Sequence, residues 1–232
     1  MVEASTEKKE TEGKEKLNSK DLMKDLLYAV AKGIGGFGLE AFADLKIEGK
    51  ENVPIIGKAI LTTISENALR DIAIISQVSG RRIHFMVHHK LMKNQMYGPV
   101  LKTLGMFRST LDKDDTVPID KVFHYLNEAG DLVAMTPESR LTPEVQIKAM
   151  AGIIKFAVAA MAPIIPIAIY TEKARILNTF STTGIRVKIG TPLKVEKRLT
   201  REKYRNERYE LAEDIIKIID SLKVRPDTEK EY

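Results

Sequence analysis

Lys58-Ala59-Ile60-Leu61-Thr62-Thr63-Ile64, followed without a break by Ser65-Glu66-Asn67-Ala68-Leu69-Arg70-Asp71, is the stretch whose reading decides the fold. An apolar run of this length, not alternating with polar residues, reads as a β-strand covered on both faces. The polar residues behind it open a helix-length segment over Asn67–Val78. The same order recurs along the chain. Ile83–Val87, Leu132–Met135 and Ile164–Ile169 read as buried strands, and Lys90–Leu104, Pro118–Glu128 and Ala149–Ala160 as helices between them. Thr116 and Gly130 are start and stop signals for the helix at Pro118. Arg186–Ile189 adds a strand, and a last helix after Thr200 places Tyr204, Leu211, Ile215, Ile218 and Leu222 on one face. Strand–helix alternation predicts a single α/β domain, a mostly parallel sheet flanked by helices.

Outward from this core, residues 45–225 form the expected domain. Residues 1–18 mix acids and bases with no apolar run, and read as a disordered charged tail without a secretory signal. Residues 19–44 read as an amphipathic helix and a Gly-rich turn. Ser19 can cap the helix, and Leu22, Leu26, Val30 and Ile34 make a stripe widened by Met23 and Leu27. Such a helix docks on the domain or lies on a membrane surface, and the two are compatible. Gly33-Ile34-Gly35-Gly36-Phe37-Gly38 matches a dinucleotide fingerprint in form, but it follows a helix where the fingerprint follows a strand.

The 232 residues hold no Cys and four His, which argues against disulfides, thiolate metal sites and a histidine-rich metal centre. A net charge of +5 favours anionic partners without marking a nucleic-acid binder. Ala149–Tyr170 is apolar, yet Lys155, Pro163 and Pro166 interrupt it, so a buried helix followed by a buried strand is expected, not a membrane span.

Sites in open α/β sheets gather at the carboxyl ends of the strands. Two strand ends carry polar residues out of keeping with their apolar approach. One is Ile64–Asp71, and the other is Ala134-Met135-Thr136-Pro137-Glu138-Ser139-Arg140-Leu141.

The order of short segments from Leu45 to Leu193 resembles the glycerol-phosphate and lysophospholipid acyltransferases, the 1-acylglycerol-3-phosphate acyltransferase family. Glu48-Gly49-Lys50-Glu51-Asn52-Val53-Pro54 is similar to that family's G-x-E-N-(I/V)-P segment ahead of the first core strand. Pro137-Glu138-Ser139-Arg140-Leu141-Thr142 resembles its P-E-G-R segment, with Ser139 for the glycine. Ile164-Ile165-Pro166-Ile167-Ala168 and Ile189-Gly190-Thr191-Pro192-Leu193 resemble the later apolar strand and the closing G-x-P element.

The resemblance implies acyl transfer from acyl-CoA or acyl carrier protein to a glycerol hydroxyl, with no tightly bound cofactor and no metal. It implies a lipid substrate, a membrane surface as partner, no nucleic acid, and a cytoplasmic, peripherally membrane-associated protein. The family's N-H-x4-D signature uses His as general base and Asp to orient it. Aligned on Asp71, the His position falls on Glu66 and the Asn on Ser65, so the base histidine is missing. Glu66 has three readings. It pairs with Arg70 four residues on; it marks a scaffold that has lost activity; or it is itself the base. A carboxylate of ordinary pKa, ~4.3, is a weak base for a hydroxyl unless burial raises it.

His88 and His89, after the strand Ile83–Val87, are candidates for a borrowed base, while His84 and His124 read as packed or surface residues. The resemblance makes Arg140 the phosphate ligand and Glu138 an organiser of the loop and of the acceptor's head, with Ser139 beside them. The alternative for Glu138 and Arg140 is a brace across their own loop. By count the family's second arginine falls at Leu111, and the resemblance assigns its substrate-binding role to Arg108, three residues earlier. Met150–Met161 and the Met92/Met96 face could line an acyl groove. The alternative function is an inactive acyltransferase-fold protein that binds lipid or a protein partner.

Overall fold

The computed structural model describes residues 23, 25–33, 36, 44–110, 114–176 and 180–223. The charged tail, the Ser19 cap, Ile34, most of the Gly33–Gly38 turn and Leu111 lie outside the described residues. Residues 25–33 are helical and are called α1. In chain order there follow β1 (Lys46–Glu48), β2 (Ala59–Thr62), α2 (Ala68–Ile75), β3 (Ile83–Val87), α3 (His89–Lys93) and α4 (Gly98–Thr103). Next come β4 (Phe107–Arg108), α5 (Val117–Phe123), β5 (Leu132–Met135), α6 (Pro143–Ala160), β6 (Ile164–Ile176), β7 (Phe180–Ile189) and α7 (Arg205–Lys223).

The strands form one sheet in the order β1-β7-β6-β2-β5-β3-β4. Every neighbouring pair is parallel except β6 and β7, which pair antiparallel. The expected mostly parallel sheet is therefore present. Its apolar runs are continuous because both faces are covered. Ala59 and Leu61 pack with Ile72 and Ile75 of α2, whereas Ile60 between them packs with Ile154 and Val158 of α6 and Ile215 of α7. The leucine and isoleucine side chains buried here each contribute roughly 1.5–3 kcal/mol relative to exposure.

Several boundaries differ from the sequence reading, each for a local reason. The single helix expected over Lys90–Leu104 is two, because the chain leaves helical geometry at Asn94 and the second piece begins with Pro99 in its first turn. The helix expected from Ala149 begins at Pro143, whose fixed φ suits a first helical position. The strand expected over Arg186–Ile189 extends back to Phe180 as the partner of a long β6. β1 and β4 are edge strands of three and two residues, too short for a periodicity to register.

Gly49 shows why one quoted segment has its residue types. It has φ +82°, and a Cβ there would sit 2.3 Å from the carbonyl oxygen of Ile189. Asn52 donates its Nδ2 to that same carbonyl at 2.9 Å. A glycine for close approach and an amide to satisfy that acceptor thus tie the loop before β2 to the end of β7.

α6 crosses from β5 to β6, on the far side of β2, along one face, while α2 crosses from β2 to β3, beyond β5, along the other. The two crossovers diverge at the carboxyl ends of β2 and β5 and open a crevice there. Among the described residues no helix is long and apolar enough to cross a membrane.

Candidate active site

Two strand ends meet in the crevice. Past β2, the Ser65 N–H donates to Pro137 O at 2.7 Å, and the Ser139 N–H donates to Ser65 O at 2.7 Å. Ser65 and Glu138 are thereby bridge partners in parallel register. This continues the β2–β5 pairing and places their side chains on one face.

Asp71 is the anchor of the first strand end. It is 2% exposed, and its two oxygens take four donors. Oδ2 accepts from Ser65 Oγ at 2.8 Å, from the Glu66 N–H at 3.1 Å and from the Asn67 N–H at 3.3 Å. Oδ1 accepts from Arg70 Nε at 2.9 Å. Asn67 caps α2 by accepting the Arg70 N–H at 3.2 Å, so helix start and carboxylate fix each other. Burial works against the charge on Arg70, but its hydrogen bonds to Asp71 and Glu66 outweigh that and raise its pKa.

Glu66 turns away from this carboxylate. Its side chain is 62% exposed and accepts from Arg70 at 3.3 Å, an i,i+4 ion pair on the helix start. The pairing expected from spacing alone is present, and the Glu66 side chain makes no hydrogen bond to Asp71. At this exposure such a pair is worth about 0.3–0.5 kcal/mol.

The second strand end is open. The Glu138–Arg140 brace is not formed: among the described residues neither side chain has a hydrogen-bond or ion-pair partner. Arg140 is exposed and Glu138 half-buried. The loop is held instead by Gln146 of α6, whose Nε2 donates to Ser139 O and Leu141 O, both at 2.9 Å. The sequence reading did not single out Gln146; its position one turn inside α6 is the only signal that it could reach back. Ser139 lies outside the left-handed region, so its backbone does not call for glycine.

Three adjoining cavities share this crevice. One of about 250 Å³ is lined by Ser65, Glu66, Asn67, Glu138 and Arg140 among others. A second of about 390 Å³ runs between Ser65, His88, Thr136 and Glu138. A third of about 220 Å³ is mainly apolar, walled by Met86, Met135, Leu141, Ala149 and Ile153, with Ser109, His88 and Glu138 at its polar edge. The apolar wall from α6 is thus Ala149 and Ile153; Met150 packs into the core behind it, fully buried. Met92 is buried in the opposite core cluster and Met96 is exposed, so neither walls these three cavities.

The remaining candidates divide clearly. His88 is the N-cap of α3 and accepts the Lys90 N–H on Nδ1 at 3.3 Å, which leaves its ring proton on Nε2. Loss of solvation and the neighbouring His88, Lys93, Lys90 and Arg108 push the imidazole of His89 below its ordinary value. His84 is buried, stacked on Tyr125 at 3.7 Å, with Nε2 at 3.0 Å from Asp131 Oδ2. Burial holds its pKa low, outweighing Asp131. His124 lies on the surface against Glu128. Arg108 faces Asp115 with both guanidinium nitrogens, one at 2.9 Å from Oδ1.

No curated protein sequence matches this chain. Among solved structures, it is similar to the 1-acyl-sn-glycerophosphate (LPA) acyltransferase PlsC from Thermotoga maritima. The match has 20% identity and a TM-score of 0.56, and it covers 93% of this chain and 90% of that one. At that identity the likeness concerns the fold. Residues 44–170 match the acyltransferase family, and that span takes in the loop tied to β7, the Asp71 network, the Glu138–Arg140 loop and α6. With more than half of its length in that match, the chain belongs to the acyltransferase family.

Proposed function

We propose that this chain transfers an acyl chain from acyl-CoA or acyl carrier protein to the hydroxyl of a lysophospholipid or glycerol phosphate. The observation that carries this reading is the open guanidinium of Arg140. It stands on the rim of a polar pocket whose neighbour is an apolar cavity. A planar cation without a partner among the described residues suits a phosphate, and the adjoining wall of Met86 and Ile153 suits a hydrocarbon chain. Glu138 and Ser139 shape the loop between the two, and Arg108 steadies the neighbouring strand end through Asp115.

The site works without a tightly bound cofactor, and the acyl thioester enters as substrate. A peripheral position on the cytoplasmic face of a membrane fits the exposed apolar side chains of the two outer helices α1 and α4. Leu26 and Val30 of α1, and Met23 ahead of it, are at least half exposed, and Met96 and Val100 near α4 are exposed as well. An apolar stripe of this kind inserts into the boundary between headgroups and acyl chains.

The test is acyl transfer by the purified protein, with acyl-CoA and acyl-carrier-protein donors and 1-acylglycerol-3-phosphate as the first acceptor. Turnover above the uncatalysed rate is expected. The second reading, an inactive member that binds lipid or a protein partner, draws on the outward position of Glu66. Tight binding of lysophospholipid with no turnover across the panel would favour it.

A further inference from the structure

We infer that Glu138, and not the residue at the family's histidine position, is the proton acceptor of this site; the inference rests on the acyl-transfer reading. Five groups at the strand ends could take a proton from a hydroxyl, and the geometry removes four of them, His89 because it lines none of the three cavities. Asp71 is buried and its two oxygens are occupied by four donors. Glu66 is turned to solvent and ion-paired with Arg70, and it lines only the pocket that also holds Arg140. His88 spends its Nδ1 lone pair on the Lys90 N–H, so its remaining nitrogen carries hydrogen.

Glu138 differs on each count. Among the described residues its carboxylate has no hydrogen-bond or ion-pair partner. It lines all three cavities, and so stands where the polar pocket, the larger cavity and the apolar cavity meet. Its bridge to Ser65 sets it beside the residue next to the family's histidine position, on the same face of the sheet. A lipid chain seated between Met86, Met135 and Ile153 would displace water from that junction, and a carboxylate stripped of water accepts a proton more readily. His88, across the cavity, offers its Nε2–H to an oxygen gaining charge.

The step balances within the two substrates. The acceptor hydroxyl oxygen attacks the carbonyl carbon of the acyl-CoA thioester, a C–O bond forms and the C–S bond breaks. Glu138 takes the hydroxyl proton and returns it to the departing sulfur, leaving an ester and free coenzyme A. The thioester is an activated acyl group, which lowers the demand on the base.

The experiment is steady-state transfer from palmitoyl-CoA to 1-acylglycerol-3-phosphate by the full chain, comparing wild type, Glu138→Gln, Glu138→Ala and Glu66→Gln. Glu138→Gln should lower kcat by at least about 100-fold, the lower range for a lost general base, with KM for the lysophospholipid within about threefold. Added formate should restore part of the activity of Glu138→Ala, which a purely structural role would not allow. Glu66→Gln should lose less than about tenfold. A Glu138→Gln variant that raises KM and spares kcat, or a Glu138→Ala variant deaf to formate, would overturn the assignment and leave acyl transfer standing. A wild type that turns over no substrate would overturn both. Thermal melts of each variant accompany the kinetics, so that a fall in kcat with unchanged Tm is read as chemistry.

Discussion

Charge is handled in opposite ways at two places on the sheet. On β7, Arg186 is 7% exposed and fully engaged: Nε donates to Glu172 at 2.8 Å, one terminal nitrogen to Asp44 Oδ2 at 2.8 Å and the other to Asp44 O at 2.6 Å. Asp44 is held there with φ +41°, a left-handed conformation that needs an outside anchor. At the end of β5, Arg140 and Glu138 are separated by a single residue and yet ignore each other. Buried charge far from the crevice is matched from within the protein, because an unpaired buried ion is costly. At the crevice two opposite charges stay unmatched among the described residues, which costs little in contact with water and leaves both for a ligand. Asp71 combines the two behaviours: it lies at the crevice but is saturated like Arg186.

If that contrast is right, Asp71→Ala gives the largest effect on stability. It strands the Ser65 hydroxyl and two N–H groups at the start of α2, at a cost of about 3 kcal/mol. Chemical denaturation measures it, and a loss below about 1 kcal/mol would mean that the Ser65–Glu138 bridge alone sets this loop.

Arg186→Met comes next, at about 2 kcal/mol, since its two carboxylate partners keep some contact with solvent. It carries a pH signature. The hydrogen bond from Arg186 holds the Asp44 carboxyl below its usual value. The unfolded chain therefore binds the proton first, and this part of the stability is present above the unfolded carboxylate pKa of ~3.9 and is lost as pH falls through the folded value. Stability measured from pH 7 down to pH 3 should fall less steeply in Arg186→Met than in wild type.

The smallest expected change in stability belongs to Arg140→Ala, within about 0.5 kcal/mol of wild type, because no partner among the described residues is lost. Its effect falls on binding: phosphorylated lysolipid should weaken far more than a neutral monoacylglycerol, read by titration calorimetry. Equal weakening of both would place the phosphate elsewhere and blur the contrast with Arg186.

The fold was legible because buried parallel strands have a plain signature. Ile83–Val87 and Leu132–Met135 occupy the residues that their apolar runs indicated. β1 and β4 escaped, since strands of three or two residues take their identity from the partner they pair with. The split between α3 and α4 escaped for a related reason: apolar spacing continues through Asn94–Tyr97 while the backbone does not. The acyltransferase-type segments were equally visible, and so was the acidic residue at position 66, since residue type at fixed spacing is a property of the chain alone.

What spacing could not reveal is the direction in which each acidic side chain faces. Glu66, Asp71 and Glu138 are short-range neighbours of basic residues, and any of the three could have been paired. Local geometry settled Glu66, whose partner Arg70 lies one helical turn away. Asp71 was settled by the sharp turn that aims three donors at one oxygen. Glu138 was settled by the pairing of β2 with β5, which carries Ser65 and Glu138 into register from distant parts of the sequence. Sequence by itself determined the core strands and the family, because hydrophobic periodicity and residue identity are local. Only the tertiary structure decided which carboxylate stands open in the crevice, because that depends on sheet register and on where every competing donor has already been used.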